Sequence, residues 1–168
     1  MTALRSTLLG GVVLALIAAA PATAADVAAG FSQGRVHASV VGGTGYAFDN
    51  TYLVLGVGVS YYLIDGLNVG LYAESWTGAD PTLKKVTPSL QYVFYQVPHV
   101  KPYVGAFYRR TYISNQADLD SVGGRGGIYI AAGRNAYIGA GVVYESYLDC
   151  KRVSCSDTYP EISFTFAF

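Results

Sequence analysis

The stretch Pro160-Glu161-Ile162-Ser163-Phe164-Thr165-Phe166-Ala167-Phe168 decides the fold. Apolar or aromatic side chains alternate in it with polar or small ones, and successive side chains of an extended strand point to opposite faces. One face is therefore Ile162, Phe164, Phe166 and Phe168, and the other is Glu161, Ser163, Thr165 and Ala167. A strand of this kind needs an apolar medium on one side and a polar, crowded one on the other.

The same period of two recurs upstream. The expected strands are 35–46, 51–63, 67–76, 86–97, 103–113, 121–131, 136–147 and 159–168. Leu53, Leu55, Val57, Val59 and Tyr61 share a face opposed by Gly56, Gly58 and Ser60, and an Asp65-Gly66 turn opens the third strand. Connections at 64–66, 98–102 and 132–135 are short, whereas 77–84, 114–120 and 148–157 are longer and polar; the first loop, near Phe48 to Asn50, is an exception. The expected fold class is all-β: an eight-stranded antiparallel up-and-down transmembrane β-barrel. A lipocalin-like barrel would place its apolar face inside, and here the glycine-bearing face suits a narrow interior while Leu, Val, Ile, Tyr and Phe suit lipid.

Arg5, the apolar run Leu8 to Ala20 and the small residues Ala22-Thr23-Ala24-Ala25 read as a secretory signal cleaved after Ala24 or Ala25. The run is shorter than the roughly 18–20 residues of a spanning helix. Residues 1–25 are thus expected to be a signal peptide and 26–168 the barrel domain. Subtracting residues 1–25 from 168 leaves 143, with ten basic and eleven acidic side chains, a size suited to one domain. No concentrated basic patch points to nucleic acid. After the signal, no stretch is apolar enough for a membrane helix, so a chain crossing lipid must do so as a closed sheet.

The chain resembles the small eight-stranded outer-membrane β-barrel family, to which the membrane domain of outer membrane protein A belongs. The resemblance is carried by the terminal aromatic strand 162–168 and by Lys101-Pro102-Tyr103-Val104-Gly105-Ala106. It implies residence in a Gram-negative outer membrane, among outer-membrane lipid and lipopolysaccharide. It also implies recognition of Phe164, Phe166 and Phe168 by the barrel assembly machinery. The family spans adhesins, stress proteins and lipid-modifying enzymes, so it fixes architecture and not activity.

With both termini periplasmic, Glu74, Arg109, Arg125, Glu145 and Glu161 fall in the outer half of the barrel, and the only three glutamates all sit opposite their strands' apolar faces. Unpaired ions in a barrel interior are costly, so these five are expected to form a salt-bridged lumen cluster. Gln91, Tyr72 and Tyr129 could line a small-solute site in the same space. The expected role is structural or surface-interacting with a closed lumen. The alternatives are a narrow, porin-like gated pore or, more remotely, a lipid-modifying enzyme.

The enzyme alternative rests on His37-Ala38-Ser39, which is similar to the His-x-Ser of some outer-membrane lipid A deacylases. It lies early in the chain on the expected lumen face, away from every glutamate, so no catalytic residue is assigned. His99 is expected to be an exposed turn residue. Neither a metal site nor a cofactor is expected from two histidines and two cysteines this scattered. Cys150 and Cys155 are expected to form a disulfide tightening the last loop, whose polar and charged residues 148–157 are the candidate contact for an extracellular ligand. Tyr46, Tyr52, Trp76, Tyr108, Tyr112, Tyr144, Tyr147 and Tyr159 are expected in an outer aromatic girdle, and Tyr61, Tyr95, Tyr103, Tyr137 and Phe168 in an inner one.

Overall fold

The computed structural model describes residues 29–47, 50–148 and 155–168. The expected signal peptide, Cys150 and most of loop 148–157 lie outside these residues. Eight strands follow in order: β1 Val36–Ala47, β2 Asn50–Ile64, β3 Leu67–Thr77, β4 Leu83–Val93, β5 Val100–Ile113, β6 Leu119–Ala131, β7 Ala136–Tyr147 and β8 Ser156–Ala167. Each pairs antiparallel with its neighbours, and β8 returns to β1 to close the barrel.

The sheet has two distinct ends. The start of β1, the end of β8 and the connections 65–66, 94–99 and 132–135 gather at one, which we call the terminal end. The remaining connections gather at the other, the loop end. At the terminal end Gly66 adopts φ +80°, and a Cβ there would meet the Val93 carbonyl oxygen at 2.5 Å, so only glycine suits this turn.

The outside is apolar and the inside polar. Val57 is 62% exposed, and Leu55, Leu71, Val104, Val142 and Ile162 stand outside with it; Gln91 is 5% exposed, and Ser60, Thr87, Ser121 and Thr165 are buried inside. This is the polarity of a barrel immersed in lipid and the reverse of a soluble one. The lumen is narrow enough that a Cβ on Gly58 would overlap the Tyr72 ring.

Three strands depart from the sequence expectation by three residues or more. β4 begins at Leu83 and ends at Val93, three to four residues earlier than expected, which brings Lys84 and Lys85 into the sheet and leaves Phe94 to Val97 outside it. β5 begins at Val100 and includes Pro102, and β8 begins at Ser156 and includes Pro160. Prolines lack the N–H that a ladder uses, yet Pro102 lies near a strand end and Pro160 lies in the part of β8 beyond its register pairs with β1.

The closing seam is short. β1 and β8 share five register pairs, from His37↔Ala167 to Val41↔Ser163, whereas β1 and β2 share twelve. At the terminal end, Val36 N donates to Phe168 O at 3.3 Å and Phe168 N donates to Val36 O at 2.9 Å.

Candidate functional site in the barrel lumen

The alternation that sends Leu and Val outward sends Glu74, Lys85, Arg109, Arg125, Glu145 and Glu161 inward. At the loop half, Arg109 is 1% exposed and Glu145 is 0% exposed. Arg109 Nη1 donates to Glu145 Oε2 at 2.7 Å, Nη2 to Glu74 Oε1 at 3.2 Å, and Nε to Thr87 Oγ1 at 2.9 Å. Arg109 Nη1 also contacts the Tyr159 hydroxyl, which donates to Glu145 Oε2 at 2.9 Å. Ser121 Oγ donates to the other carboxylate oxygen of Glu145. A planar guanidinium offers its donors in a fixed fork, so this set holds Arg109 in one orientation.

Lys85 completes the layer. Its Nζ lies 3.7 Å from the centre of the Trp76 ring, while Trp76 Nε1 donates to Glu74 Oε2 at 3.1 Å. Lower down, Arg125 Nη1 approaches Glu161 Oε1 at 3.4 Å, and its guanidinium lies 5.1 Å and 5.2 Å from the centres of the Tyr72 and Phe107 rings. The three carboxylates Glu74, Glu145 and Glu161 are thus matched by the three cations Arg109, Arg125 and Lys85. Pairing of this kind offsets the several kcal/mol that each buried ion loses with its water. Arg125 Nε is buried without a hydrogen-bond partner.

The terminal half is closed by aromatic rings. Phe31, from the segment before β1, is fully buried among Tyr62, Tyr129 and Tyr137, with ring centres 4.7 to 6.0 Å from its own. Its segment is tied down by backbone groups: Gly66 N donates to Phe31 O at 2.8 Å, Gly34 N to Tyr62 O at 2.9 Å, and Gln33 N to the Asp65 carboxylate at 2.8 Å. Tyr103 packs on Tyr129 at 4.7 Å, and Gln91 Nε2 donates to the Tyr129 hydroxyl at 3.1 Å.

The five charged residues expected to cluster form two groups, Glu74 with Arg109 and Glu145, and Arg125 with Glu161. Tyr72 stands beside Arg125, but Gln91 and Tyr129 belong to the aromatic layer. His37 and Ser39 both face the lumen and are engaged there: His37 Nε2 bonds Gly30 O at 2.7 Å, and Ser39 Oγ bonds Thr165 Oγ1 at 2.9 Å. His99 is exposed in the 94–99 turn with φ 63°. Phe164, Phe166 and Phe168 stand exposed on the outer wall. Among the described residues no group of three or more His, Cys, Asp or Glu is placed to hold a metal.

The aromatic girdles need correction. Tyr108, Tyr112, Tyr144 and Tyr61 do face outward, but Tyr52, Trp76, Tyr103 and Tyr137 are buried inside, and Tyr159 belongs to the ion cluster. Tyr147 binds Asp157 at the loop rim, and Tyr95 packs against the aromatic layer. Strand parity, more than ring chemistry, decides which side each takes.

No protein-family model matches the chain, and no curated protein is similar to it in sequence. Among solved structures, the N-terminal β-barrel domain of Pseudomonas aeruginosa OprF superposes with a TM-score of 0.62, at 16% identity over 81% of this chain and 98% of that one. The chain has the fold of the small outer-membrane barrels. Neisserial surface protein A follows at 0.55, with 18% identity over 79% of this chain and 94% of that one. The outer membrane protein OprG of Pseudomonas aeruginosa gives 0.50, with 15% identity over 82% and 97%.

Sequence reading missed several residues of this small barrel's lumen. Lys85 falls between the expected connection 77–84 and the expected strand from 86; its cross-strand pairing with Glu74 is the signal that finds it. Trp76 shares parity with Glu74, and Tyr159 with Glu161, so both were legible as inward. Phe31 precedes every strand, and nothing in its local sequence announces that it returns into the barrel.

Proposed function

We propose that this protein is an outer-membrane β-barrel with a structural or surface-interaction role and a lumen that is closed at rest. The observation that carries the reading is the complete burial of the Arg109 and Glu145 pair across the lumen, above a second closure built from Phe31 and the tyrosines. Eight strands leave an interior that side chains can fill, and these do. In this reading residues 1–25 are a cleaved signal, the terminal end is periplasmic, and Phe164, Phe166 and Phe168 are read by the assembly machinery. The outer wall meets lipid and lipopolysaccharide. Cys150 pairs with Cys155 to tighten the last loop, and loop 148–157 meets an extracellular partner.

A narrow gated pore for small solutes is the second reading. It draws support from the aromatic closure, whose central ring, Phe31, belongs to a short segment outside the sheet. A lipid-modifying hydrolase has no comparable support, since His37 and Ser39 are turned into the lumen and engaged there.

The test is single-channel recording in planar bilayers with protein whose folding is verified by heat-modifiable gel mobility. Silence is expected. Discrete conductance steps from the unmodified protein would overturn the closed lumen and favour the pore.

A further inference from the structure

We propose that the outer wall over β4 to β7 carries a binding site for one membrane lipid, with an acyl chain lying in a trough and its phosphate headgroup against Lys84 and Arg110. This rests on the reading of the outer wall as lipid-facing and deepens it.

The trough is a consequence of register. One row across four strands is Leu90, Ala106, Gly124 and Tyr144, each paired with the next. Two large side chains thus flank two small ones on the same outward face. Pro88 and Tyr108 line the hollow on its side toward the loop end, and its volume is about 700 Å³. Neighbouring strands stand about 4.8 Å apart, so the flanking strands are roughly 14 Å apart before their side chains are counted. That width accepts an acyl chain or two and is too narrow for the convex wall of a second barrel.

The rim above is polar. Two rows toward the loop end stand Arg110 and Asp120, paired across β5 and β6, with Lys84 and Tyr112 in the row beyond. Four residues of strand span about 13 Å, comparable to the roughly 15 Å of hydrocarbon in one leaflet, so a lipid whose phosphate sits at Arg110 reaches the trough with its acyl chain. Lys84 is exposed. Arg110 is 46% exposed and is held by Asp118 at 3.0 Å and Asp120 at 3.9 Å, which use only part of its five-donor fork. The carboxylates orient Arg110, and Lys84 adds the unshared positive charge that a phosphate requires.

Gly124 and Gly126 supply a matched pair of probes. Both point outward, and a Cβ on either would meet only a backbone oxygen at an ordinary 3.6 Å. Gly124 floors the trough and Gly126 does not line it. The folded protein in detergent, given phosphatidylglycerol or diacylglycerol, is examined by native mass spectrometry. One retained phosphatidylglycerol is expected on the unmodified protein and on Gly126→Leu, falling at least fivefold on Gly124→Leu and on Ala106→Leu. Lys84→Ala should weaken phosphatidylglycerol severalfold and leave diacylglycerol unchanged. No retained lipid, retention undiminished by Gly124→Leu, or equal loss with Gly126→Leu would overturn the site. Loss of a protein dimer on Gly124→Leu, with no lipid retained, would assign the trough to a second copy instead. Absence of heat-modifiable mobility in the unmodified protein would sink the membrane-barrel reading itself, a failure distinct from that of the site.

Discussion

The two halves of the lumen are closed by different physics. The loop half is held by ions: Arg109 between Glu74 and Glu145, with Lys85 over Trp76. The terminal half is held by ring packing around Phe31, with hydrogen bonds mostly from backbone. A buried ion pair gains most of its strength from having both partners, so losing one leaves the other stranded. Aromatic packing loses contacts in proportion to what is removed, and its neighbours can relax. The ionic half should therefore be brittle and the aromatic half graded.

Glu145→Gln should have the largest effect. It keeps the shape and part of the hydrogen bonding yet removes a charge fully buried against Arg109, and should cost about 3–5 kcal/mol in urea unfolding. A loss below about 1 kcal/mol would break the contrast. Phe31→Ala should cost about 3 kcal/mol in the same measurement, at the low end for deleting a buried aromatic ring, because its segment is local. Its bilayer recordings should stay silent, since the Arg109 layer is intact. Steps from Phe31→Ala alone would show that the ions do not close the lumen, and steps only from Phe31→Ala/Glu145→Gln would show two barriers in series.

Replacing Arg125 and Glu161 together by leucine should move stability by no more than about 1 kcal/mol, because the two desolvation costs leave with the one attraction. Glu161→Leu alone should destabilise more than the pair, and the reverse ranking would argue against an interior pair. Arg110→Ala, at the exposed rim, should lower the urea midpoint slightly at low salt and not measurably at high salt. A salt-independent loss would mean that Arg110 acts through packing.

Much of the barrel was legible because period-two alternation is a local signal. Ile162, Phe164 and Phe166 against Glu161, Ser163 and Thr165 state the sidedness of β8 without any other strand. The inward turn of Glu74, Arg109, Arg125, Glu145 and Glu161 followed from the same parity. What could not be read depends on register between strands. Lys85 joins the cluster because it faces Glu74 across β3 and β4, and its own neighbours, Lys84 and Val86, look like the edge of a loop. The row that places Ala106 beside Gly124 is likewise a property of pairing. Phe31 returns from outside the sheet, and its burial is a tertiary fact with no periodic trace.

The short seam between β1 and β8 has a consequence for the order of events during biogenesis. Seven of the eight strand pairings join neighbours in sequence, so they can form while the chain is still arriving. The eighth joins His37–Val41 to Ser163–Ala167, the greatest separation along the chain, with the fewest pairs to reward it. Val36 and Phe168 meet at its end, beside the segment that carries Phe31. Until β8 is paired, the backbone groups along β1 have no sheet partner, and lipid offers them none, so this short seam is what completes the closed sheet.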